Sequence, residues 1–478
     1  MVPTSYLSKA LRAEPRIIIT VNVTPHKCGT KAEMRRFSRT SPNPMAYSHP
    51  LIASDGLPAE RDIMEGLKKS HPVDTLSIHP VTNERPTATT STAVRNLEYI
   101  GSYNWTNASD AAEIIVPGSA PEWTDRSLPI KLSPDRGVRF SHQNGFKSPS
   151  SILLPLFKSV DVLNKEVDWP SVDFVVDRSG LRKIMRWISV DDVKDFRIDM
   201  ELAGKQTVLL NRWEARTREI MPGYTYGFNF EKAMTAAVPG CEKATSHHRI
   251  VKYACAHFSW SQDVHGLPPL QDFCGLKLVV RFEVDACLPP ATPKRSASRA
   301  NMSSNPEDLA DALVGLKITP SKPVTPSVAS RSSPAASEAG SSLQLRILRA
   351  GVEQPQSSII ELTTRSEKTI HNVNSTDQFL QLYLSQTPHL YVGVHFKGRF
   401  FDVRKQGLES SELVSQREKA ESSLRQLGNT LRMIQKIVVK HGRTGRLSLV
   451  CEKGTLRVYE RVSTQSCLPA EVMQRFET

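Results

Sequence analysis

The sequence lacks the cysteine patterns of a zinc-binding or disulfide-bonded protein. Its seven cysteines are scattered through 478 residues without a CxxC pair, which favours free thiols in a reducing compartment. It also lacks a run of about 18 apolar residues, the length that a membrane-spanning helix needs. The apolar run 17–23 is too short and too late for a signal peptide. We therefore expect a soluble intracellular protein, in the nucleus or the cytoplasm, without a membrane partner.

Acidic residues are in the minority. The chain has 62 Lys and Arg against 49 Asp and Glu, which gives a formal net charge of +13. Such a surplus favours polyanionic partners, with nucleic acid first among them. The 32 prolines indicate that part of the chain does not join a hydrophobic core.

Long helical patterns are few, and short strand-like runs outnumber them. This pattern predicts an α+β fold with a mixed β-sheet core and flanking helices. Residues 1–95 are rich in Ser, Thr, Pro and Arg and predict a disordered N-terminal tail. Residues 289–342 are dominated by Pro, Ser, Ala and Thr and predict a disordered insertion. The core is therefore expected in two parts, residues 96–288 and 343–478.

Four acids stand on or beside predicted regular elements. Glu283 and Asp285 end the strand-like run Leu276–Cys287, and their i, i+2 spacing places both on one face of a strand. Glu231 lies on a predicted helix and Glu361 on the next strand. Carboxylates gathered in this way suit Mg²⁺ or Mn²⁺, which can activate water at a phosphorus centre. The alternative for the strand pair is an exposed face with two solvated acids.

The acids and their neighbours resemble motifs of the decapping exoribonuclease (DXO) family, whose core is similar to that of PD-(D/E)XK nucleases. The likeness runs in order from about Val172 to Tyr459, interrupted by the Pro- and Ser-rich insertion. The four segments that carry it are Val175–Arg178, Gly227–Glu231, Glu283–Asp285 and Glu361–Thr363.

This resemblance implies a metal-dependent hydrolase of RNA 5′ ends that uses Mg²⁺ or Mn²⁺. The activity would be decapping or pyrophosphate removal, with 5′–3′ exoribonuclease activity as an extension. The metal ligands that it implies are Glu231, Asp285, Glu361 and the carbonyl of Leu362. It further implies that Glu283 acts through water, that Arg178 holds phosphate and that Gln386 lies near the substrate. A 5′–3′ exoribonuclease is the implied protein partner, and DNA is not an expected ligand.

One position departs from the family pattern. Thr363 stands where the family has a lysine, and a threonine cannot supply an ammonium charge. Arg365, two residues on, shares a strand face with Thr363 and is a candidate replacement. The departure leaves open a second hypothesis, a non-catalytic RNA-binding or nuclease-partner protein of the same fold.

A third hypothesis comes from the segment 191–195, DDVKD, which has the form of the DDxxD motif of prenyl diphosphate synthases such as geranylgeranyl diphosphate synthase. Asp191 and Asp195 lie four residues apart, so they would share one face of a helix. No second DDxxD motif follows, and the flanking sequence predicts a helix-to-strand turn. The label of a prenyltransferase rests on this single motif.

Overall fold

The computed structural model describes residues 56–77, 91–189, 193–258, 275–290, 345–370 and 375–477. The strands are β1 Asp74–Leu76, β2 Ser91–Thr106, β3 Glu113–Pro117, β4 Glu122–Trp123, β5 Ile130–Lys131, β6 Val138–Phe140, β7 Phe174–Asp177, β8 Phe196–Ala203, β9 Thr207–Trp213, β10 Arg218–Ile220, β11 Thr235–Ala236, β12 Ala244–Phe258, β13 Lys277–Val284, β14 Ala286–Cys287, β15 Arg346–Ala350, β16 Ile359–Ser366, β17 His389–Phe396, β18 Arg399–Gly407, β19 Arg446–Glu452 and β20 Thr455–Glu460. The helices are α1 Gln143–Lys147, α2 Leu154–Val162, α3 Arg178–Ser189, α4 Gly227–Met234, α5 Ser375–Ser385, α6 Ser411–His441 and α7 Ala470–Met473. The predicted α+β class with mixed sheets is confirmed.

Eleven strands form the larger sheet, in the order β1-β20-β19-β8-β9-β7-β13-β12-β2-β3-β15. Strand β7 lies between two parallel neighbours, β9 and β13. All four of its residues are buried, as expected for a continuous apolar run in a parallel region covered on both faces. Helix α3 begins directly after β7, so the first residue of α3 is held at the end of a central strand.

Seven strands form the second sheet, in the order β11-β4-β14-β16-β17-β18-β5. The chain passes from the larger sheet to this one between β13 and β14, and Asp285 is the single residue between the two strands. Strand β14 then pairs antiparallel with β16, with Ala286 opposite Ile360. This junction places the ends of β13 and β14 beside β16.

Helices cover both faces of the larger sheet. On one face, α3, α5 and the 31-residue helix α6 contribute to one core with the strands. The buried residues of α6 recur every three or four positions, the spacing of an amphipathic helix. On the other face, Phe157 of α2 packs with Trp169 and Phe476 near the C-terminus. A smaller core under the second sheet contains Phe230 and Phe400.

The boundary predicted at residue 95 differs from the structure. Residues 56–77 carry the buried side chains Leu57 and Leu67, and strand β1 pairs with β20. Strand β2 already begins at Ser91 and pairs with β12. The remainder of the predicted tail, and residues 291–342 of the predicted insertion, lie outside the described residues.

The sheets also decide against the prenyltransferase hypothesis, because that family is all-helical. Asp191 and Asp192 of the DDVKD motif lie outside the described residues. Asp195 accepts a hydrogen bond from the backbone N–H of Lys453 at 2.8 Å, which is an ordinary turn contact. None of the described helices is both long and apolar enough to cross a lipid bilayer.

Candidate active site

The four acids singled out by the sequence converge at the junction between the two sheets. Glu283 is the last residue but one of β13, and Asp285 lies between β13 and β14. Glu361 lies on β16, and Glu231 lies on α4. The backbone N–H of Leu362 donates to Oδ2 of Asp285 at 2.8 Å, which ties the junction to β16. Helix α4 packs against β16 as well, so β16 contacts both the junction that carries Asp285 and the helix that carries Glu231.

The carboxylates perturb one another electrostatically. Burial first, then the charges of Glu283 and Glu361, raise the pKa of Glu231 to about 8. Burial, Glu361 and Glu231 raise the pKa of Asp285 well above its ordinary value, although its bond to the Leu362 amide opposes the rise. The pKa of Glu283 is raised as well, first by the protein atoms packed around the junction and then by the charge of Glu361, whereas the charge of Arg178 lowers it. Such crowding of acids is what a bound cation would relieve.

Arg178 is the cation that faces this cluster. It is the first residue of α3, and its Nη1 donates to Oε2 of Glu361 at 2.8 Å and to Oγ of Ser385 at 3.2 Å. The preceding Asp177 is held by Arg281, whose Nε and Nη2 donate to its two carboxylate oxygens at 2.6 and 2.9 Å. This ion pair is buried, so the start of α3 rests on a fixed base.

The glutamine nearest the acids is Gln381 rather than Gln386. Gln381 Nε2 donates to Oε1 of Glu361, whereas Gln386 Nε2 donates to the carbonyl of Tyr383 at 2.6 Å. The backbone of Gln386 has a positive φ of 51°, and its side chain turns back onto its own helix. The structure thus brings Gln381 to the acids, and the role of Gln386 toward a substrate stays a prediction. Gln381 and Ser385 lie four residues apart on one face of α5, the helical spacing that could have identified them.

The guanidinium of Arg365 contacts Thr363, the position at which the resemblance leads one to expect a lysine. Arg365 Nη1 donates to Oγ1 of Thr363 at 2.9 Å and to the carbonyl of Thr364 at 2.7 Å. Both Thr363 and Arg365 line a small cavity of about 200 Å³ together with Glu361 and Gln381. The predicted sharing of one strand face by Thr363 and Arg365 is thus present, and positive charge lies beside the acids.

A larger cavity of about 340 Å³ opens from Glu283 and Arg178, and we call it the carboxylate cleft. Its rim includes Phe140 and Phe228, both exposed. The guanidinium of Arg139 lies 5.7 Å from the ring centroid of Phe228. Aromatic rings beside cations form surfaces on which nucleic-acid bases stack.

The donor set suits a hard divalent cation, because every predicted ligand offers oxygen. Among the described residues, however, no three His, Cys, Asp or Glu side chains are arranged to hold one ion together. Glu361 is instead bound to Arg178 and Gln381. The residues therefore suit a metal by the chemistry of their oxygen donors, whereas in this structure Glu361 is paired with Arg178.

Comparison with known proteins places the chain in a family. The model of a family described as "Domain of unknown function (DUF8563)" matches residues 76–477. The chain belongs to the DUF8563 family. No curated protein matches this DUF8563 sequence.

Among solved structures, this DUF8563 chain is similar to Rai1 and Dxo1, the group that its motifs resemble. Rai1 of S. pombe is 12% identical with a TM-score of 0.48, covering 81% of this chain and 99% of that one. Rai1 of Candida albicans in complex with pU5-Mn2+ is 11% identical with a TM-score of 0.47, covering 85% and 99%. Dxo1 of K. lactis in complex with manganese is 9% identical with a TM-score of 0.41, covering 82% and 96%. Likeness at this level does not assign an activity.

Proposed function

We propose that the protein is a divalent-metal-dependent hydrolase of RNA 5′ ends, acting on capped or pyrophosphate-bearing ends. The observation that supports this most strongly is the meeting of Glu231, Glu283, Asp285 and Glu361 at the sheet junction with Arg178 beside them. A net charge of +13 suits an RNA substrate.

Different residues of the site would bind the metal, the water and the phosphate. Glu231, Asp285, Glu361 and the Leu362 carbonyl would hold Mg²⁺ or Mn²⁺, which when bound activates water and offsets charge on phosphorus. Glu283 is exposed in the carboxylate cleft, where it can accept a hydrogen bond from water. Arg178 can exchange Glu361 for a substrate phosphate, since guanidinium binds either oxyanion in the same geometry.

Arg365 takes the electrostatic role that a lysine would have. Its guanidinium is held at Thr363 by a hydrogen bond, and a guanidinium offers positive charge without a proton that it readily gives up. It can therefore offset negative charge near Glu361 but cannot transfer a proton. This division assigns charge stabilisation to Arg365 and leaves proton transfer to the acids.

The test is an assay of 5′ ends. RNA oligonucleotides that carry a cap, a triphosphate or an NAD end are incubated with the protein and Mg²⁺ or Mn²⁺. We expect a released 5′ product with the natural protein and none with Asp285→Ala. The control is Glu418→Ala, which removes an exposed carboxylate from α6 and should leave the product unchanged. No product from the natural protein with any end and either metal would contradict a hydrolase.

A second candidate is a non-catalytic RNA-binding protein of the same fold. It is favoured by Thr363 and by the bonds that occupy Glu361 with Arg178 and Gln381. RNA binding that persists without any product would select this candidate. Co-purification with a 5′–3′ exoribonuclease from nuclear extract would then test the partner and the location that the family resemblance implies.

A further inference from the structure

A second, larger cavity adjoins the carboxylate cleft, and we call it the arginine cavity. It measures about 730 Å³. Its walls come from residues 58–66 and 142–152, from β8 and the end of β9, from the loop between β9 and β10, and from residues 461–463. The arginines that line it are Arg61, Arg197, Arg212, Arg216, Arg218 and Arg461.

We propose that the arginine cavity binds the phosphodiester backbone of the RNA substrate, downstream of the 5′ end that lies in the carboxylate cleft. This inference rests on the proposed function and adds to it a path for the rest of the RNA chain. Three lines of observation carry it: the charge of the lining, the continuity with the cleft, and an unpartnered buried histidine between the two cavities.

The lining keeps an excess of positive charge after its ion pairs are counted. Six arginines face three carboxylates, Glu65, Asp199 and Glu214. Asp199 is paired with Arg197 at 2.6 Å and with Arg461 at 3.7 Å. Glu214 is paired with Arg212 at 2.6 Å. Phosphate groups are the ligands that such a surplus of guanidinium groups attracts.

Two of the arginines have no carboxylate partner among the described residues. Arg61 donates to the backbone carbonyl of Glu214 at 2.8 Å and lies 4.8 Å from the ring centroid of Trp213. Arg218 lies 4.6 Å from the ring centroid of Phe146. Both are held against aromatic rings with N–H groups left for a ligand, because a guanidinium has five donors.

The two cavities share a wall. His142 and Arg212 line both of them. Phe140 lines the cleft and Phe146 lines the arginine cavity, and their ring centroids are 5.2 Å apart. A chain that starts at Glu283 and passes Arg212 therefore reaches the arginine cavity without leaving the protein surface.

The shared wall contains a buried polar atom without a partner. His142 is 3% exposed, and its Nε2 has no hydrogen bond to any part of the chain that the structure describes. Burial first, then the charges of Arg212 and Arg281, lower the pKa of His142 well below its usual value. A neutral imidazole between the cavities can bond a ribose hydroxyl, which is both donor and acceptor.

The test compares the double variant Arg61→Ala/Arg218→Ala with the control Lys419→Ala/Lys440→Ala, which loses the same number of positive charges. Both lysines are exposed on α6 and do not line the cavity. Affinity is measured by fluorescence anisotropy in EDTA, for a 5′-triphosphate dinucleotide and for an RNA of about twelve nucleotides with the same end. For the long RNA we expect the slope of log K against log salt to become less negative by about 1.4 in the arginine variant, about 0.7 for each lost phosphate contact. The dinucleotide should bind unchanged, and the lysine control should match the natural protein.

Arg61→Lys/Arg218→Lys keeps both charges and should keep most of the slope, which guards against a folding defect in the alanine variant. An unchanged slope for the long RNA would overturn the proposal, and so would equal losses for both ligands in a folded variant. Failure of the 5′-end assay leaves this binding test intact, so hydrolysis and the RNA path can fail separately. If the natural protein binds neither RNA, both ideas fall together.

Discussion

Replacing Asp177 by alanine should destabilise the protein strongly, because it isolates a buried charge. Arg281 is 1% exposed and gives two hydrogen bonds to Asp177, at 2.6 and 2.9 Å. Its remaining bonds go to the hydroxyl of Tyr103 at 3.2 Å and to the carbonyl of Ile152 at 2.9 Å, neither of which carries charge. Removing one partner of such a pair typically lowers the free energy of unfolding by about 3–5 kcal/mol.

Urea denaturation followed by tryptophan fluorescence measures this loss as a lower transition midpoint. The matched control is Asp161→Ala, which breaks a partly exposed pair with Arg475 and should change the free energy of unfolding by no more than about 1 kcal/mol. Because Arg178 follows Asp177, the Asp177→Ala variant should also bind RNA 5′ ends more weakly. A loss of stability no larger than that of the control would refute the view that this ion pair anchors α3.

Three further predictions concern the acids and their neighbours. The pKa of Glu231 is raised to about 8 from the ordinary value of 4.5, so without metal the folded state should lose stability as pH rises from about 4.5 to 8. The variant Glu231→Gln should show a smaller fall in Tm over this pH range and less stabilisation by Mn²⁺. A pH profile of Tm that is the same in the variant and the natural protein would count against the raised pKa. Gln381→Ala should alter the rate of hydrolysis because it removes a hydrogen bond to Glu361, whereas Gln386→Ala should leave the rate unchanged. If instead only Gln386→Ala changes the rate, the role predicted for Gln386 from sequence is supported. Arg365→Ala should lower turnover by roughly a hundredfold, the lower end of the loss of about 10²–10³ seen when one electrostatic donor is removed. Adding Thr363→Lys to this variant should recover part of the loss. Unchanged turnover in both variants would remove Arg365 from the site.

The sequence was sufficient to predict the class of the fold and to single out the four acids. Each acid stands in a motif whose position relative to a strand or helix is readable locally, whereas their meeting at one site was implied only by the family resemblance. The structure corrects one detail of this geometry. Glu283 and Asp285 do not share one strand, since β13 ends at Val284 and Asp285 turns the chain into the second sheet.

Features that depend on tertiary contacts were not predictable in the same way. Residues 56–77 show no periodicity, since only isolated side chains such as Leu57 and Leu67 are buried there and β1 is three residues long. The family resemblance points to Gln386, but the backbone conformation of this residue, visible only in the structure, turns its side chain onto the carbonyl of Tyr383. The capture of Glu361 by Arg178 and Gln381 likewise joins residues far apart in sequence.

The measurement that tests the central claim most directly is Mn²⁺ binding by isothermal titration calorimetry, with the natural protein and with Asp285→Asn. Asparagine keeps the shape of the side chain and removes its charge, so the two proteins should fold alike. Our account predicts saturable Mn²⁺ binding to the natural protein and at least a tenfold weaker affinity in the variant. Equal affinities, or no binding to the natural protein, would contradict a metal site at the sheet junction.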